Sequence, residues 1–242
     1  MEYALVTGGT SGIGLAIVNA LLDDGYFVYI NYSNNEERAE QVRIQLSKYD
    51  GFYSFIRADL SEYSSINLIV SKLNNVETKL SALVLNFGMT DRSDFGSITV
   101  EGWEKVLRAN VSVPFFIIQS LYEEDLFLKG ASIICIGSLM ASMPHSVSVS
   151  YGVSKSAMSA MCQNLVKMLS PKEIRINTIE PGFIDTPWQK EKAEEQRKRI
   201  IDKTALNRFG EPEEVASACV AIIKNTFING SILHVSGGYG LI

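Results

Sequence analysis

The sequence predicts an α/β fold in which helices flank a doubly wound sheet of seven mainly parallel strands. Seven short apolar runs alternate with longer segments whose apolar residues recur every three or four positions. The strand runs lack regular polar alternation, which indicates strands buried on both faces. The candidate strands are residues 3–7, 27–31, 52–58, 80–86, 131–137, 174–179 and 231–235. Because no linker or internal repeat divides the chain, we expect a single domain over residues 1–242.

The first strand, YALVT, runs into a glycine-rich turn, TGGTSGIG, at residues 7–14, and the helical pattern GLAIVNALLDD follows. Glycine lets the backbone approach a pyrophosphate closely, and the free amides of a helix N-terminus attract its charge. In the first βαβ unit such a turn predicts a Rossmann-type dinucleotide site, with a merely tight turn as the alternative. The glycines that would do this are Gly8, Gly12 and Gly14.

Two later segments point to chemistry. Residues 151–169 predict a helix on which Tyr151 and Lys155, four positions apart, share one face. An ammonium beside the phenol would lower its pKa from about 10, so the pair could transfer protons near neutral pH, although chance can also place them so. The charged stretch WQKEKAEEQRKRI, residues 188–200, predicts either a solvated surface helix or part of a substrate lid, which we place at residues 186–210.

Composition limits the classes of partner. The net charge is −5 and the basic residues are scattered, which argues against nucleic-acid binding. Three cysteines without metal-like spacing and only two histidines indicate reduced, buried thiols and no metal centre. No apolar run reaches membrane-spanning length and no targeting segment is evident, so we expect a cytoplasmic protein that does not bind a membrane.

Three features together resemble the classical short-chain dehydrogenase/reductase family: the TGGTSGIG turn, the Tyr-x-x-x-Lys of YGVSK, and Ser138 thirteen residues before Tyr151. The similarity covers essentially the whole chain and is closest to the 3-oxoacyl-[acyl-carrier-protein] reductases. Its further matches are Asp59-Leu60, Asn110, EPGFIDT at 180–186, RFGEPEEVA and the closing LHVSGG.

The resemblance implies a role for each matching residue. Tyr151 would be the general acid/base, Ser138 would orient and polarise a substrate carbonyl, and Lys155 would lower the phenol pKa and hold the nicotinamide ribose. Asn110 would support a water relay to Lys155. The cofactor would also contact Ser11 and Ile13 in the glycine-rich turn, and Ser33, Asp59, Leu60, Asn86, Gly88, Pro181, Gly182, Ile184 and Thr186. The alternatives are a turn hydroxyl for Ser138, a helix amide that satisfies backbone groups for Asn110 and a helix cap for Asp59.

Two segments bear on the cofactor. The family's Asn-Asn-Ala-Gly reads LNFG at residues 85–88, so Leu85 puts the polar tie between the central strands in doubt, and Phe87 either crowds the adenosine or fills the core. After the second strand no carboxylate follows to repel a 2′-phosphate, and Ser33 or Asn34 could donate to it. No basic residue occupies the expected positions, one of which is Ser11. We expect NADP(H), with NAD(H) as the alternative.

The resulting hypothesis is an NADPH-dependent reductase that converts a ketone to a secondary alcohol. The substrate would be a 3-oxoacyl thioester or a similar apolar carbonyl compound, as in fatty acid biosynthesis, because the loop LMASMPHSVSVS after Ser138 is small and apolar. His145 in this loop is either exposed to solvent or a substrate contact. The alternatives are a sugar, polyol or hydroxysteroid dehydrogenase and a non-catalytic nicotinamide-binding redox partner.

Two kinds of protein partner follow from the same hypothesis. An acidic acyl-carrier protein would need a basic patch near the cleft, for which Arg92, Arg108 and Lys129 are candidates. The helical stretch at residues 103–122 and the YGVSK helix are apolar on more than one face. They predict a homotetramer or homodimer, with burial in one large core as the alternative.

Overall fold

A computed structural model describes residues 1–76, 78–143, 148–190 and 192–242. The seven predicted strands are present and form one sheet of order β3-β2-β1-β4-β5-β6-β7, in which every neighbouring pair is parallel. The strands are β1 (Tyr3–Val6), β2 (Phe27–Tyr32), β3 (Tyr53–Arg57), β4 (Leu80–Leu85), β5 (Phe127–Ile136), β6 (Arg175–Pro181) and β7 (Ile232–Val235). The predicted doubly wound fold is confirmed, and β5 begins four residues earlier than expected.

Helices cover both faces of this sheet. They are α1 (Gly12–Asp23), α2 (Glu36–Gln45), α3 (Ser64–Asn74), α4 (Val100–Leu107), α5 (Val113–Glu123), α6 (Val149–Leu169), α7 (Glu194–Asp202) and α8 (Pro212–Lys224). Local signals explain several of their starts. The Asn35 side chain caps α2 by accepting from Arg38 N at 2.8 Å, and α8 begins with a capping box followed by Pro212. None of the helices within the described ranges is long and apolar enough to cross a membrane.

The sheet separates two hydrophobic clusters. One cluster packs α3, α5 and α6 against residues such as Leu5 and Leu83, and the other packs α1 and α8 against residues such as Val6 and Val84. Successive strand residues therefore point into opposite clusters, which is why the strand sequences show no polar alternation. The three cysteines are buried free thiols within these clusters.

The carboxyl ends of β1 and β4 are joined by side chains. Asn86 Nδ2 donates to the Thr7 carbonyl at 3.0 Å and to the Gly8 carbonyl at 3.2 Å. In return, the backbone amides of Asn86 and Phe87 donate to Thr7 Oγ1 at 2.9 and 3.1 Å. The polar tie that Leu85 put in doubt is thus made by Asn86 and Thr7, while Leu85 is buried in the core.

The segment 186–210, in which we predicted a lid, leaves the sheet and returns to the same point. Its base is closed by a bridge between Ile184 and Gly210, with Asp185 N donating to Gly210 O at 2.8 Å. The charged stretch begins with a short turn at Pro187–Gln189 and becomes helical only at Glu194. Within α7 only Ile200 is buried, as the charge pattern suggests for a surface helix.

Candidate active site

A cavity of about 490 Å³ opens at the carboxyl edge of the sheet, next to the point where the strand order reverses between β1 and β4. Parallel α/β sheets bind their ligands at this position. Fourteen of the eighteen predicted site residues line it: Gly8, Ser11, Gly12, Ile13, Ser33, Asn86, Gly88, Ser138, Tyr151, Lys155, Pro181, Gly182, Ile184 and Thr186. The other four, Gly14, Asp59, Leu60 and Asn110, are not part of the lining.

The glycine turn has the geometry of an anion-binding loop. Gly8 and Gly12 have φ values of +61° and +51°, which other residues rarely adopt. No side chain caps the first turn of α1 and no acidic residue lies in it, so its amides are free to donate hydrogen bonds to a phosphate. Gly14 packs closely against this turn, where no side chain fits. A Cβ at Gly14 would lie 2.3 Å from the Gly8 carbonyl oxygen and 2.5 Å from Asn86 Nδ2. Gly14 therefore allows α1 to pack against the turn.

Asp59 and Leu60 lie beyond the cavity. Asp59 is exposed, and its Oδ1 accepts from Ser61 N at 3.0 Å in a turn that precedes α3. Since α3 begins at Ser64, Asp59 does not cap that helix. Leu60 is buried in the core. The adenine contact expected of Asp59 stays a prediction.

Ser138 and Tyr151 come together from β5 and α6. Ser138 follows β5 by two residues, and its Oγ accepts from Met140 N at 3.2 Å. Tyr151 lies in the first turn of α6, and its ring packs beside that of Trp188 with centroids 6.3 Å apart. Burial raises the pKa of the Tyr151 phenol, and a hydrogen bond with the Ser138 hydroxyl partly opposes this rise. At neutral pH the phenol therefore keeps its proton.

Lys155 is buried and bonded to the sheet. Its Nζ donates to the Ile136 carbonyl at 2.8 Å and lies 5.7 Å from the centroid of the Tyr151 ring. Burial lowers the pKa of Lys155 to about 8. The prediction that this ammonium lowers the pKa of the Tyr151 phenol is wrong for this structure, because the cost of burying a phenolate dominates and the ammonium is held by a backbone carbonyl.

Asn110 lies in a π-helical turn at Arg108–Ser112 and is fully buried. Its side chain exchanges two hydrogen bonds of 2.9 Å with the backbone of Met89 and donates to Ser154 Oγ at 2.8 Å. The amide thus satisfies backbone groups, as in the simpler interpretation. A Cβ at Gly88 would lie 3.3 Å from Lys155 Nζ and 3.5 Å from Asn110 Oδ1, so Gly88 leaves a polar gap between these two groups. That gap suits a water relay, which stays a prediction.

A buried carboxylate, which sequence reasoning missed, connects the elements that carry Ser138 and Tyr151. Glu180 Oε1 accepts from Ser159 Oγ on α6 at 2.7 Å, and Oε2 accepts from Ser142 Oγ at 3.4 Å, four residues after Ser138. His234 Nε2 on β7 lies 3.0 Å from Oε2. The signal in the sequence was an acidic residue directly after the predicted strand at residues 174–179.

The structure also adds cations to the cavity. Arg38, in the first turn of α2, lines it beside Ser33 and Asn34, and Arg92 and Lys192 line it from two other segments. Arg108 and Lys129, the other candidates for a basic patch, lie elsewhere, next to Glu62 and Glu173. Phe87 lines the cavity and also packs against the core, so it fills core space, and the crowding of the adenosine stays a prediction. His145 lies outside the described residues.

The chain is similar to known proteins over nearly its whole length. A family model described as "Enoyl-(Acyl carrier protein) reductase" matches residues 8–240. The 3-oxoacyl-[acyl-carrier-protein] reductase FabG of Aquifex aeolicus is 30% identical over 240 residues, which cover 98% of this chain and 96% of that protein.

Two solved structures are similar over nearly their whole length. A short-chain dehydrogenase/reductase from Serratia marcescens has a TM-score of 0.91 at 28% identity, covering 99% of this chain and 98% of that one. The Pseudomonas aeruginosa RhlG/NADP active-site complex has a TM-score of 0.90 at 29% identity, covering 99% and 96%.

The burial of Lys155 predicts a pH dependence of stability. The unfolded lysine has a pKa near 10.5 and the folded one about 8, so the buried ammonium destabilises the fold fully below pH 8, and this penalty disappears as the pH rises to 10.5. We expect the free energy of unfolding of the wild type, relative to Lys155→Met, to rise by up to about 1.4 kcal/mol per pH unit in this window. Urea unfolding at pH 7, 8, 9 and 10 measures it.

The control for this experiment is Lys167→Met, at an exposed position on the same helix. The difference in the free energy of unfolding between this variant and the wild type should not change over the same pH range. An equally flat difference for Lys155→Met would contradict the assigned pKa.

Proposed function

The chain belongs to the short-chain dehydrogenase/reductase family and is an NAD(P)-dependent oxidoreductase, and on that premise we propose that it reduces a ketone to a secondary alcohol with NADPH. The observation that carries this proposal is the convergence of Ser138, Tyr151 and Lys155 at the cavity from β5 and α6. The open amides of α1 and the glycine turn fit the pyrophosphate of a dinucleotide.

The side chains supply what the hydride transfer needs. The bound nicotinamide supplies the hydride, and negative charge then develops on the carbonyl oxygen. Ser138 and Tyr151 hold hydroxyl donors near that position, so they stabilise the transition state more than the ground state. Because burial raises the pKa of Tyr151, the phenol is protonated at neutral pH and can give its proton to the developing alkoxide. This is the protonation state that a general acid needs in order to assist ketone reduction.

Lys155 holds its position through the Ile136 carbonyl and faces the same cavity. With a pKa of about 8 it is mostly charged at pH 7, so it can hold ribose hydroxyls and return a proton to Tyr151 after each turnover. The gap at Gly88 would let Asn110 extend this path by one water.

The substrate end of the cavity supports an apolar carbonyl compound. Met140 and Trp188 line the cavity beside Ser138 and Tyr151, and the Aquifex aeolicus relative is named as a 3-oxoacyl-[acyl-carrier-protein] reductase. We therefore place a 3-oxoacyl thioester of fatty acid biosynthesis ahead of a sugar, polyol or steroid. The non-catalytic alternative rested on the LNFG departure, and Asn86 keeps the tie there.

Cofactor choice follows from the adenosine end. Ser33, Asn34 and Arg38 line the cavity there, and among its described lining residues none is acidic. A guanidinium and two short polar side chains suit a 2′-phosphate, and a carboxylate that would repel it is missing from this lining. The similar RhlG structure is a complex with NADP. These observations favour NADP(H) over NAD(H).

The segment 186–210 would act as the substrate lid. Trp188 on this segment packs beside Tyr151, and Thr186 contacts the glycine turn, where a Cβ on Gly12 would lie 3.1 Å from Thr186 Cγ2. Because the bridge between Ile184 and Gly210 fixes the base, the exposed α7 can move without disturbing the sheet.

We place the protein in the cytoplasm, as either a homodimer or a homotetramer, with an acyl-carrier protein as a further partner. Apolar side chains remain exposed on neighbouring helices, including Phe116 on α5 and Val153 and Met168 on α6. Arg92 is the one sequence-predicted basic candidate that lies at the cavity, where an acidic carrier protein would approach.

The catalytic role of Tyr151 predicts the effect of Tyr151→Phe. Losing the proton donor should lower kcat for a 3-oxoacyl thioester by about 10²- to 10⁴-fold, whereas the Kd for NADPH should change less than about threefold. NADPH absorbance measures turnover, and the fluorescence of bound NADPH measures binding. Tyr122→Phe, on α5 away from the cavity, is the control and should retain full activity. A wild type that oxidises no NADPH with thioester, sugar or steroid ketones would favour the binding-module alternative.

The position of Arg38 predicts that it discriminates between the cofactors. Arg38→Ala should raise KM for NADPH about tenfold or more, since a charge-assisted hydrogen bond is lost, and change KM for NADH less than about twofold. Arg43→Ala on the same helix, whose guanidinium pairs with Glu40, is the matched control. Equal effects on both cofactors, or a wild type that prefers NADH tenfold, would refute the NADP(H) proposal.

The exposed apolar helix faces predict self-association. Static light scattering at micromolar concentration should give two or four times the chain mass of 26.7 kDa. Phe116→Glu should shift the mass toward the monomer, because a charge in an apolar interface is costly. A wild-type mass of one chain would overturn this prediction.

A further inference from the structure

The cavity has a charge opposite to that of the whole protein. The chain carries a net charge of −5, yet the described residues that line the cavity include four cations and no Asp or Glu. The four are Arg38, Arg92, Lys155 and Lys192. Such a lining concentrates anions in the cavity.

Two of these cations have no task in the proposed reaction. Arg38 lies beside Ser33 at the adenosine end, and Lys155 is bonded to the Ile136 carbonyl. Arg92, from the loop between β4 and α4, and Lys192, from the segment 186–210, remain. Within the described parts of the chain, neither side chain donates a hydrogen bond or forms an ion pair.

Arg92 and Lys192 are close enough to interact. Burial is the larger cause that lowers the pKa of Lys192, and the charge of Arg92 adds to it. Two like charges facing one cavity without a carboxylate between them are unfavourable unless an anion joins them. A phosphate can accept from a guanidinium fork and an ammonium together.

The position of the pair indicates the substrate rather than the dinucleotide. The cofactor's phosphates already have the open amides of α1 and Arg38. Lys192 lies four residues after Trp188, which packs beside Tyr151. Arg92 is exposed at the rim, whereas Ser138 is buried, so the anion would be separated from the reacting carbonyl by a length of ligand.

We propose that Arg92 and Lys192 form a subsite for the phosphate of a thioester carrier arm, the 4′-phosphate of phosphopantetheine, while the acyl carbonyl reaches Tyr151. This inference rests on the proposed function and names the part of the substrate that the rim recognises. Gln189 lies on the same segment, and its Oε1 is buried with no hydrogen-bond partner in the described structure. That atom is available to accept from an amide of the arm.

Direct binding tests the subsite without turnover. Calorimetric titration of the protein saturated with NADP⁺ should show that 4′-phosphopantetheine binds at least tenfold tighter than unphosphorylated pantetheine. In Arg92→Gln/Lys192→Gln this preference should fall below about twofold. The control Lys198→Gln/Arg199→Gln removes the same charge from exposed positions on α7 and should keep it. If the double variant does not fold, the two single variants replace it. In each of them the preference for 4′-phosphopantetheine over pantetheine should fall about three- to fivefold.

Kinetics separate this inference from the proposed function. For the wild type, kcat/KM should be at least tenfold higher with the 3-oxobutanoyl thioester of phosphopantetheine than with the 3-oxobutanoyl thioester of pantetheine. The double variant should show no such difference, and its KM for NADPH should equal that of the wild type. Equal rates with both thioesters would overturn the subsite and leave ketone reduction standing. A raised KM for NADPH with the phosphate preference intact would assign the pair to the cofactor.

The remaining outcomes concern the proposed function and the source of the arm. Tight binding of phosphopantetheine without reduction of either thioester would overturn the proposed reaction and keep the subsite. Coenzyme A and carrier proteins share this phosphate, and comparing their 3-oxobutanoyl thioesters shows which of the two delivers it.

Discussion

The hydrogen bonds between Thr7 and Asn86 hold the two central strands together at the edge where the site forms. β1 and β4 are the neighbours between which the strand order reverses, so no short connection fixes their ends. Asn86 bonds the carbonyls of Thr7 and Gly8, and Thr7 accepts two amides in return. The glycine turn starts at this point, and Gly14 must be a glycine because Asn86 lies so close to it. The glycine turn at this edge of the cavity therefore depends on one amide side chain.

Features encoded by short stretches of sequence were predictable. Strand burial follows from apolar runs, the turn follows from glycine spacing, and the proximity of Tyr151 to Lys155 follows from the helical period. Features that depend on distant segments were not. The pKa of Tyr151 is set by burial in the folded chain, including packing beside Trp188, and this outweighs a lysine one turn away. Arg38 lines the cavity from the first turn of α2, and Glu180 meets His234 only through the pairing of β6 with β7.

Charge is distributed unevenly around the site. On one side Glu180 is satisfied by two serines and a histidine, and it connects the loop after Ser138 to α6 and β7. On the other side Lys155 has a backbone carbonyl, and Arg92 and Lys192 have no partner within the described residues. The hydrogen-bonded carboxylate of Glu180 favours a rigid scaffold. The unpaired side chains of Arg92 and Lys192, in contrast, would form favourable interactions with an anion that binds between them.

The bridge between Ile184 and Gly210 joins the two ends of the segment 186–210, so the structure of the sheet does not depend on the structure of this segment. Because the two ends are already joined, lengthening or shortening the chain between them changes the closure entropy only slowly, by about 0.6 kcal/mol per doubling of length. Evolution and protein engineering can therefore replace this excursion as a cassette. Grafting the corresponding segment of a relative between Ile184 and Gly210 therefore offers a route to new substrate ranges while the sheet and the residues on it stay unchanged.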